Sequence, residues 1–229
     1  MAESTERFRA RPRRIAARPD TKARLLEAAA HVFAEHGFER ATGKEIAERA
    51  GTNTAAVNYY FGGMDGLYAA VLDEAHNRLF TLDMVAAAVA GKPDAKAKLA
   101  AVITLVLGTL AGPASGSWVM RILGREFVAP SPAFERLRDK EILPKLRILK
   151  AIVGELMGFP PDHPVVARSC VSIMGPCIFI GIANRDLLKR AFPKFGFSPG
   201  DAATVAHHMM TYALAGLAAI AAEERARSR

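Results

Sequence analysis

Between Thr21 and Gly37, Leu26, Ala29, Ala30 and Phe33 recur at helical spacing, and the glycine closes the run. The pattern then shortens. Ile46, Ala47 and Ala50 make the apolar stripe of a second helix, opened by Thr42 with Glu45 three residues on, the spacing of a capping box. Gly51 stands where that helix needs a left-handed residue, so it ends at about Ala50. Thr52, Asn53 and Thr54 supply turn and cap chemistry, and Ala55 to Tyr60 form a third helix whose Val57 and Tyr60 face back towards the second. Two short helices about a tight glycine turn are a helix-turn-helix, and the small Ala47, four residues before Gly51, allows the close crossing. The other reading is an ordinary helical hairpin in an all-α core. Phe33, Phe38 and Ala41 are expected to form the small core under the third helix, with Tyr60 and Phe61 also inward.

Further along, Leu67, Val71, Leu72, Ala75 and Leu79 line one side of a helix predicted to run from Met64 to about Ala90. The glycines at 62, 63 and 66 before it lack the Lys-Ser/Thr of a phosphate loop and follow no strand, so they read as a hinge. Asp94 caps a helix carrying Leu99, Val102, Ile103, Val106 and Leu110. Trp118 to Val128 follows, then Glu135 to Gly158, with a bend or a fresh start at Pro144. Pro164 to Phe192 and Ser198 to Glu224 are the last two long helices. The first is apolar nearly all round and both have wide apolar surfaces, which must be covered from two sides. A two-fold four-helix dimer interface through Ile173, Gly175, Cys177, Gly181, Met209, Ala215, Gly216 and Ile220 is expected, against the alternative of a purely intramolecular core.

The 229 residues show no sustained period-two alternation, so the chain reads as all-α. It divides into an Arg-rich arm (1–19), a helix-turn-helix domain (20–66) and a larger helical domain (67–229) for effector binding and dimerisation. The formal charge of +8 is uneven: the arm has six arginines against two glutamates, whereas residues 20–66 carry five basic and seven acidic side chains. Any attraction to phosphates therefore depends on the arm, with Arg13 and Arg14 the nearest candidates, unless the arm is only a solubilising leader. Cys170 and Cys177, seven residues apart on one helix, are separated by about 10 Å and cannot bond each other. With no signal-peptide core, and apolar runs at 171–183 and 213–222 shorter than the roughly 20 residues a bilayer span needs, the expectation is a cytoplasmic protein with no membrane partner.

The sequence T-x-x-x-I-A-x-x-A-G, followed by Tyr59-Tyr60-Phe61 and then Asp65 and Leu67, resembles the N-terminal domain of TetR-family transcriptional regulators over about residues 21–72. VNYYFGGMDGLYAAVL is similar to the subgroup with a CecR-like C-terminal domain. The resemblance implies a cytoplasmic homodimer on a palindromic double-stranded DNA operator, acting as a repressor released by a small-molecule effector; activator or dual regulator is the alternative. By position it implies that Thr42 and Lys44 lie near phosphates, and that Thr54, Ala55, Ala56, Asn58 and Tyr59 face DNA. The chemistry agrees: Asn58 can read an adenine edge, an alanine methyl can meet a thymine methyl, and Thr54 and Tyr59 can bond phosphate. A surface cap or phosphate contact alone is the other reading of Asn58. Three residues depart from the family: Asn58 replaces a usual tyrosine, Met64 a usual lysine, and Thr52 a usual apolar residue.

For an effector, Trp118, Arg121 and Arg125 fall within two turns, and the two arginines share a face that suits an anionic or carbonyl-bearing ligand. A solvated face paired with Glu126 or with a neighbouring helix is the alternative. Met120, Phe127, Met174, Phe179, His208 and Tyr212 are further lining candidates, or plain core. No metal-ligand spacing, catalytic motif or cofactor motif is present, so a helical enzyme or a DNA-free adaptor is the distant alternative.

Overall fold

A computed structural model describes residues 20–112, 118–196 and 198–228. Among these, every regular element is helical. The first unit is α1 (Thr21–His36), α2 (Gly43–Arg49) and α3 (Ala55–Phe61), followed by α4 (Met64–Asn77). Asp20 caps α1, and Thr42 Oγ1 accepts the Glu45 amide at 3.2 Å to open α2. Only that half of the capping box is visible, because the Glu45 carboxylate turns to Arg49 at 2.8 Å.

The larger part comprises α5 (Leu82–Val89), α6 (Ala95–Ala111), α7 (Trp118–Val128), α8 (Pro132–Leu137), α9 (Leu143–Met157), α10 (Pro164–Ile182), α11 (Arg185–Ala191) and α12 (Ala202–Arg227). Two breaks differ from the sequence expectation, and a third falls at Pro144, where a bend or fresh start is expected. The helix predicted from Met64 to Ala90 divides at 78–81, where Thr81 caps α5 and the Leu82 amide donates to Glu141 Oε2 at 2.8 Å. A π-helical turn at Arg138–Ile142 joins α8 to α9 and leaves Pro144 in the first turn of α9, so the change of helical pitch coincides with the residue that has no N–H to donate. Asn184, accepting from the amides of Asp186 and Leu187, ends the Pro164–Phe192 prediction early and starts α11.

Apolar side chains collect in two cores. One joins Leu25, Phe33, Ile46, Val57, Leu67 and Leu72 of α1–α4 to Trp118, Ile122, Phe134 and Leu137 of α7 and α8. The other joins Leu99, Ile103, Val153, Val166, Cys177 and Leu217 of α6, α9, α10 and α12. Helices α1 and α4 therefore pack on α7 and α8 and carry α2 and α3 with them. Met120 and Phe80 touch both cores.

Where α4 bends into α5, buried His76 and half-buried Lys145 lie beside Glu141. His76 Nε2 lies 3.0 Å from Glu141 Oε2 and 3.0 Å from Lys145 Nζ, which also donates to the Phe80 carbonyl at 2.9 Å. Burial, reinforced by Lys145, holds the His76 pKa low. Burial likewise pushes Lys145 down to about 8, against the pull of Glu141.

Helices α10 and α12 are each long and apolar enough to cross a bilayer, which corrects the count made on the uninterrupted apolar runs. In this fold both pack one face on α6 and α9, and less than half of each is buried.

Candidate nucleic-acid interface and effector site

Helix α3 is held by its ends. Gly51, at φ +62, turns the chain out of α2, and the Thr52 amide returns to the Ala47 carbonyl at 2.9 Å. The cap of α3 is Asn53, whose Oδ1 accepts the Ala56 amide at 3.1 Å. Thr54, expected as part of that cap, makes no side-chain cap bond. At the other end Gly66 lies against α3 so closely that a Cβ there would be 1.8 Å from the Phe61 carbonyl oxygen. No other residue type fits that crossing without moving α4.

Buried Val57 points α3 inward, which leaves Thr54, Ala55, Asn58 and Tyr59 exposed, Tyr59 to 82%. Thr42 and Lys44 are exposed beside them at the start of α2. Ala56, placed on the same face by sequence, instead packs against the small core, so Ala55 carries the free methyl. Tyr60, expected inward, is 37% exposed, because Tyr59 stacks edge-on against it at 4.9 Å and both rings lie at the surface. Met64 packs on the core, where its sulfur would lie 3.6 Å from a Cβ at Gly43. Arg49 is committed to Glu35 and Glu45 at 2.8 Å each, leaving Lys44 as a solvated cation 4.0 Å from Glu48. Arg13 and Arg14 lie outside the described residues.

Trp118 is buried in the first core, with the Arg78 guanidinium 5.1 Å over its ring. Arg125 is also committed. Its Nη1 donates to the Phe33 carbonyl at 2.8 Å, which also accepts the Gly37 amide, and its Nη2 reaches the Glu35 carbonyl at 3.5 Å, so a cation sits at the C-terminal end of α1. The neighbouring Glu126 is buried, accepting from Tyr68 Oη at 2.5 Å and from the Ser131 amide and hydroxyl at 2.8 and 3.0 Å. Burial and the adjoining carboxylate push the Tyr68 phenol well above its ordinary pKa, so it remains a donor. Sequence reading missed this contact. Its partners are 58 residues apart, and no local spacing marks them.

A cleft of about 1140 Å³ opens between the two units, with Glu39 and Asp65 on one side and Arg121, Arg125 and Arg136 on the other. Of the ligand candidates, only Arg121 and Arg125 reach it, with Met120. Met174 packs half-buried on the second core, whereas Phe179, His208 and Tyr212 stand exposed on α10 and α12.

The dimer candidates divide as well. Ile173 and Cys177 are buried in the second core, and Met209 is half-buried with its sulfur 3.9 Å from Cys177 Sγ. A Cβ on Gly181 would meet Leu110 and Met120 at 2.9 Å, so this glycine serves packing within the chain. Gly175, Ala215, Gly216 and Ile220 lie on the outer surface, where a Cβ at either glycine would meet nothing. Exposed Val171, Phe179, Ile182 and Tyr212 extend that face. Both cysteines are buried, and burial raises their thiols to about 11, which suits neither a nucleophile nor a metal ligand. Among the described residues no group of three potential metal ligands occurs.

An all-α chain that presents the outer face of a second short helix, braced by a glycine turn and mounted on a larger helical body, defines a helix-turn-helix regulator of transcription. Residues 25–71 match the family described as bacterial regulatory proteins, tetR family. Residues 95–220, more than half of the chain, match the C-terminal domain of the HTH-type transcriptional dual regulator CecR. The chain belongs to the TetR family of bacterial regulators, in the branch with a CecR-type C-terminal domain. Over 49 residues it is 49% identical to the HTH-type transcriptional dual regulator CecR of Shigella flexneri, a match covering 21% of this chain and 22% of that relative. Among solved structures, the fatty acid degradation regulator FadR of Bacillus halodurans superposes with a TM-score of 0.59 at 17% identity, covering 85% of this chain and 98% of that one. FadR of Bacillus subtilis in complex with stearoyl-CoA gives 0.58 at 17% identity, covering 85% and 98%. The ketosteroid regulator KstR2 of Mycobacterium tuberculosis gives 0.59 at 18% identity, covering 86% and 95%. At these identities the likeness establishes the fold.

Proposed function

We propose that this chain is a homodimeric repressor that binds a palindromic double-stranded DNA operator in the cytoplasm, with no membrane partner, and is released by a small-molecule effector. The observation that carries the reading is the outward face of α3, where Thr54, Ala55, Asn58 and Tyr59 are exposed together and bear the base-reading and phosphate-bonding groups a major-groove helix uses. Support for the dimer comes from the uncovered apolar face of α10 and α12, which water leaves at a disadvantage and a second copy would cover. Support for an effector comes from the cleft between the DNA-facing unit and the larger body. A second reading, dual regulation, is favoured by the description of the Shigella flexneri relative. The test is a gel shift on DNA from upstream of the gene. The wild type retards it, and Asn58→Ala with Tyr59→Ala does not. Equal retardation by the double variant would refute the assignment of α3 as the recognition helix.

A further inference from the structure

We propose that the cleft between the helix-turn-helix unit and the α7–α8 elbow binds an amphipathic organic anion, and that its occupancy loosens the seating of the helix-turn-helix on α7. This rests on the effector-responsive reading above and names its site and ligand class. The α7–α8 wall carries Arg121 and Arg136, both exposed and neither engaged in a hydrogen bond or ion pair among the described residues. On that same wall Met120 and Val128, the latter 82% exposed, offer apolar surface to the cleft, and Ile182 at the end of α10 adds to it. Unpaired guanidiniums beside uncovered apolar side chains match a ligand with a carboxylate, sulfonate or phosphate on a hydrophobic body. The cleft's volume of about 1140 Å³ accepts a molecule of ordinary metabolite or drug size.

The opposite wall supplies the coupling. It carries Glu39 from the α1–α2 loop and Asp65 from the first turn of α4, also without partners among the described residues. The positive and negative walls attract across the open cleft and add to the apolar core and the Arg125 and Glu126 contacts that seat the two units. A bound monoanion lowers the charge carried by Arg121 and Arg136 from +2 to +1, so the attraction to Glu39 and Asp65 weakens. It also competes for Arg125, which lines the same cleft and is the residue that holds the α1 carbonyls. Because α1 and α4 brace α2 and α3, the displacement reaches the recognition helix without a ligand touching it.

The probe is 1-anilinonaphthalene-8-sulfonate, an aromatic sulfonate, titrated into the full-length protein by fluorescence. N-phenyl-1-naphthylamine, which lacks the sulfonate, is the control. Reversing both charges, Arg121→Glu with Arg136→Glu, weakens the sulfonate by at least about tenfold and leaves the uncharged probe unchanged. Val128→Asp weakens the sulfonate as well, and circular dichroism melts establish that each variant is folded. Unchanged sulfonate affinity in the folded double variant overturns the site and assigns the dye to another surface, such as the outer face of α10 and α12. In the second arm, the sulfonate lowers wild-type affinity for the upstream DNA and has no effect on that of the double variant. If it binds the cleft and DNA affinity does not move, the coupling is overturned. If the protein fails to bind DNA without the dye, the functional reading fails, and the fluorescence arm still decides the site.

Discussion

Glu126 ties α7 to α4 of the DNA-facing unit through a buried hydrogen bond to Tyr68. Its carboxylate accepts from Tyr68 of α4 at 2.5 Å and from the Ser131 amide and hydroxyl at 2.8 and 3.0 Å, at 3% exposure. In Glu126→Ala the Tyr68 phenol and the Ser131 amide lose their acceptor inside the protein. A buried donor left unmade costs about 1–3 kcal/mol, and a small cavity adds to that, so the substitution removes about 3–5 kcal/mol. Glu126→Gln keeps the shape but turns an NH2 towards a donor, at about 1.5–3 kcal/mol. Urea unfolding followed by tryptophan fluorescence is the assay, because Trp118 is the only tryptophan and belongs to the same core. Tyr68→Phe completes a double-mutant cycle with Glu126→Gln, and the two are expected to be strongly non-additive. Glu126→Ala within about 1 kcal/mol of wild type, or additivity in the cycle, would refute the account of this contact.

Lys145 titrates at about 8 in the folded chain against 10.5 when unfolded, so between these values the unfolded state binds more protons and stability rises with pH. Over that window Lys145 contributes an increase of roughly 3 kcal/mol. Lys145→Met therefore flattens the stability profile from pH 8 upward, and parallel wild-type and variant profiles would count against the buried ammonium. Deleting residues 2–18 removes all six arginines of the arm, and we expect weaker DNA binding with a salt slope lower by about one for each phosphate lost. An unchanged slope would remove the arm from the interface. Tyr212 is 75% exposed on α12, so Tyr212→Glu leaves the monomer fold intact and charges the uncovered face. Sedimentation is expected to show a dimer for wild type and monomer for the variant; a wild-type monomer at micromolar concentration would refute the two-fold arrangement.

What the sequence disclosed was local. The Thr42 cap, the Gly51 turn and the apolar stripes of α1, α2 and α6 are periodic signals contained within a few residues, and they led to the fold. The breaks at 78–81 and at Asn184 were concealed, because one depends on Glu141, distant in sequence, and the other on a single cap inside an apolar run. The effector and dimer candidates fared unevenly for the same reason. A helix apolar on all sides does not say which side meets its own chain: Gly181 turned inward on Leu110, and Gly216 outward into open space. Arg121 and Arg125 were correctly placed on one helical face, yet what that face opposes, the end of α1 and the cleft beside it, is a tertiary fact.

The most direct test of the central claim is selection of binding sites from random DNA by the full-length protein, followed by affinity measurements on the enriched sequence. A dimer with α3 as its recognition helix predicts an inverted repeat with half-site centres about 34–36 Å apart, or a multiple of one helical turn. Asn58→Ala should cost about 1–3 kcal/mol on that sequence and relax preference at one base pair per half-site. Enrichment of a single unrepeated site, or of no sequence at all, would contradict it.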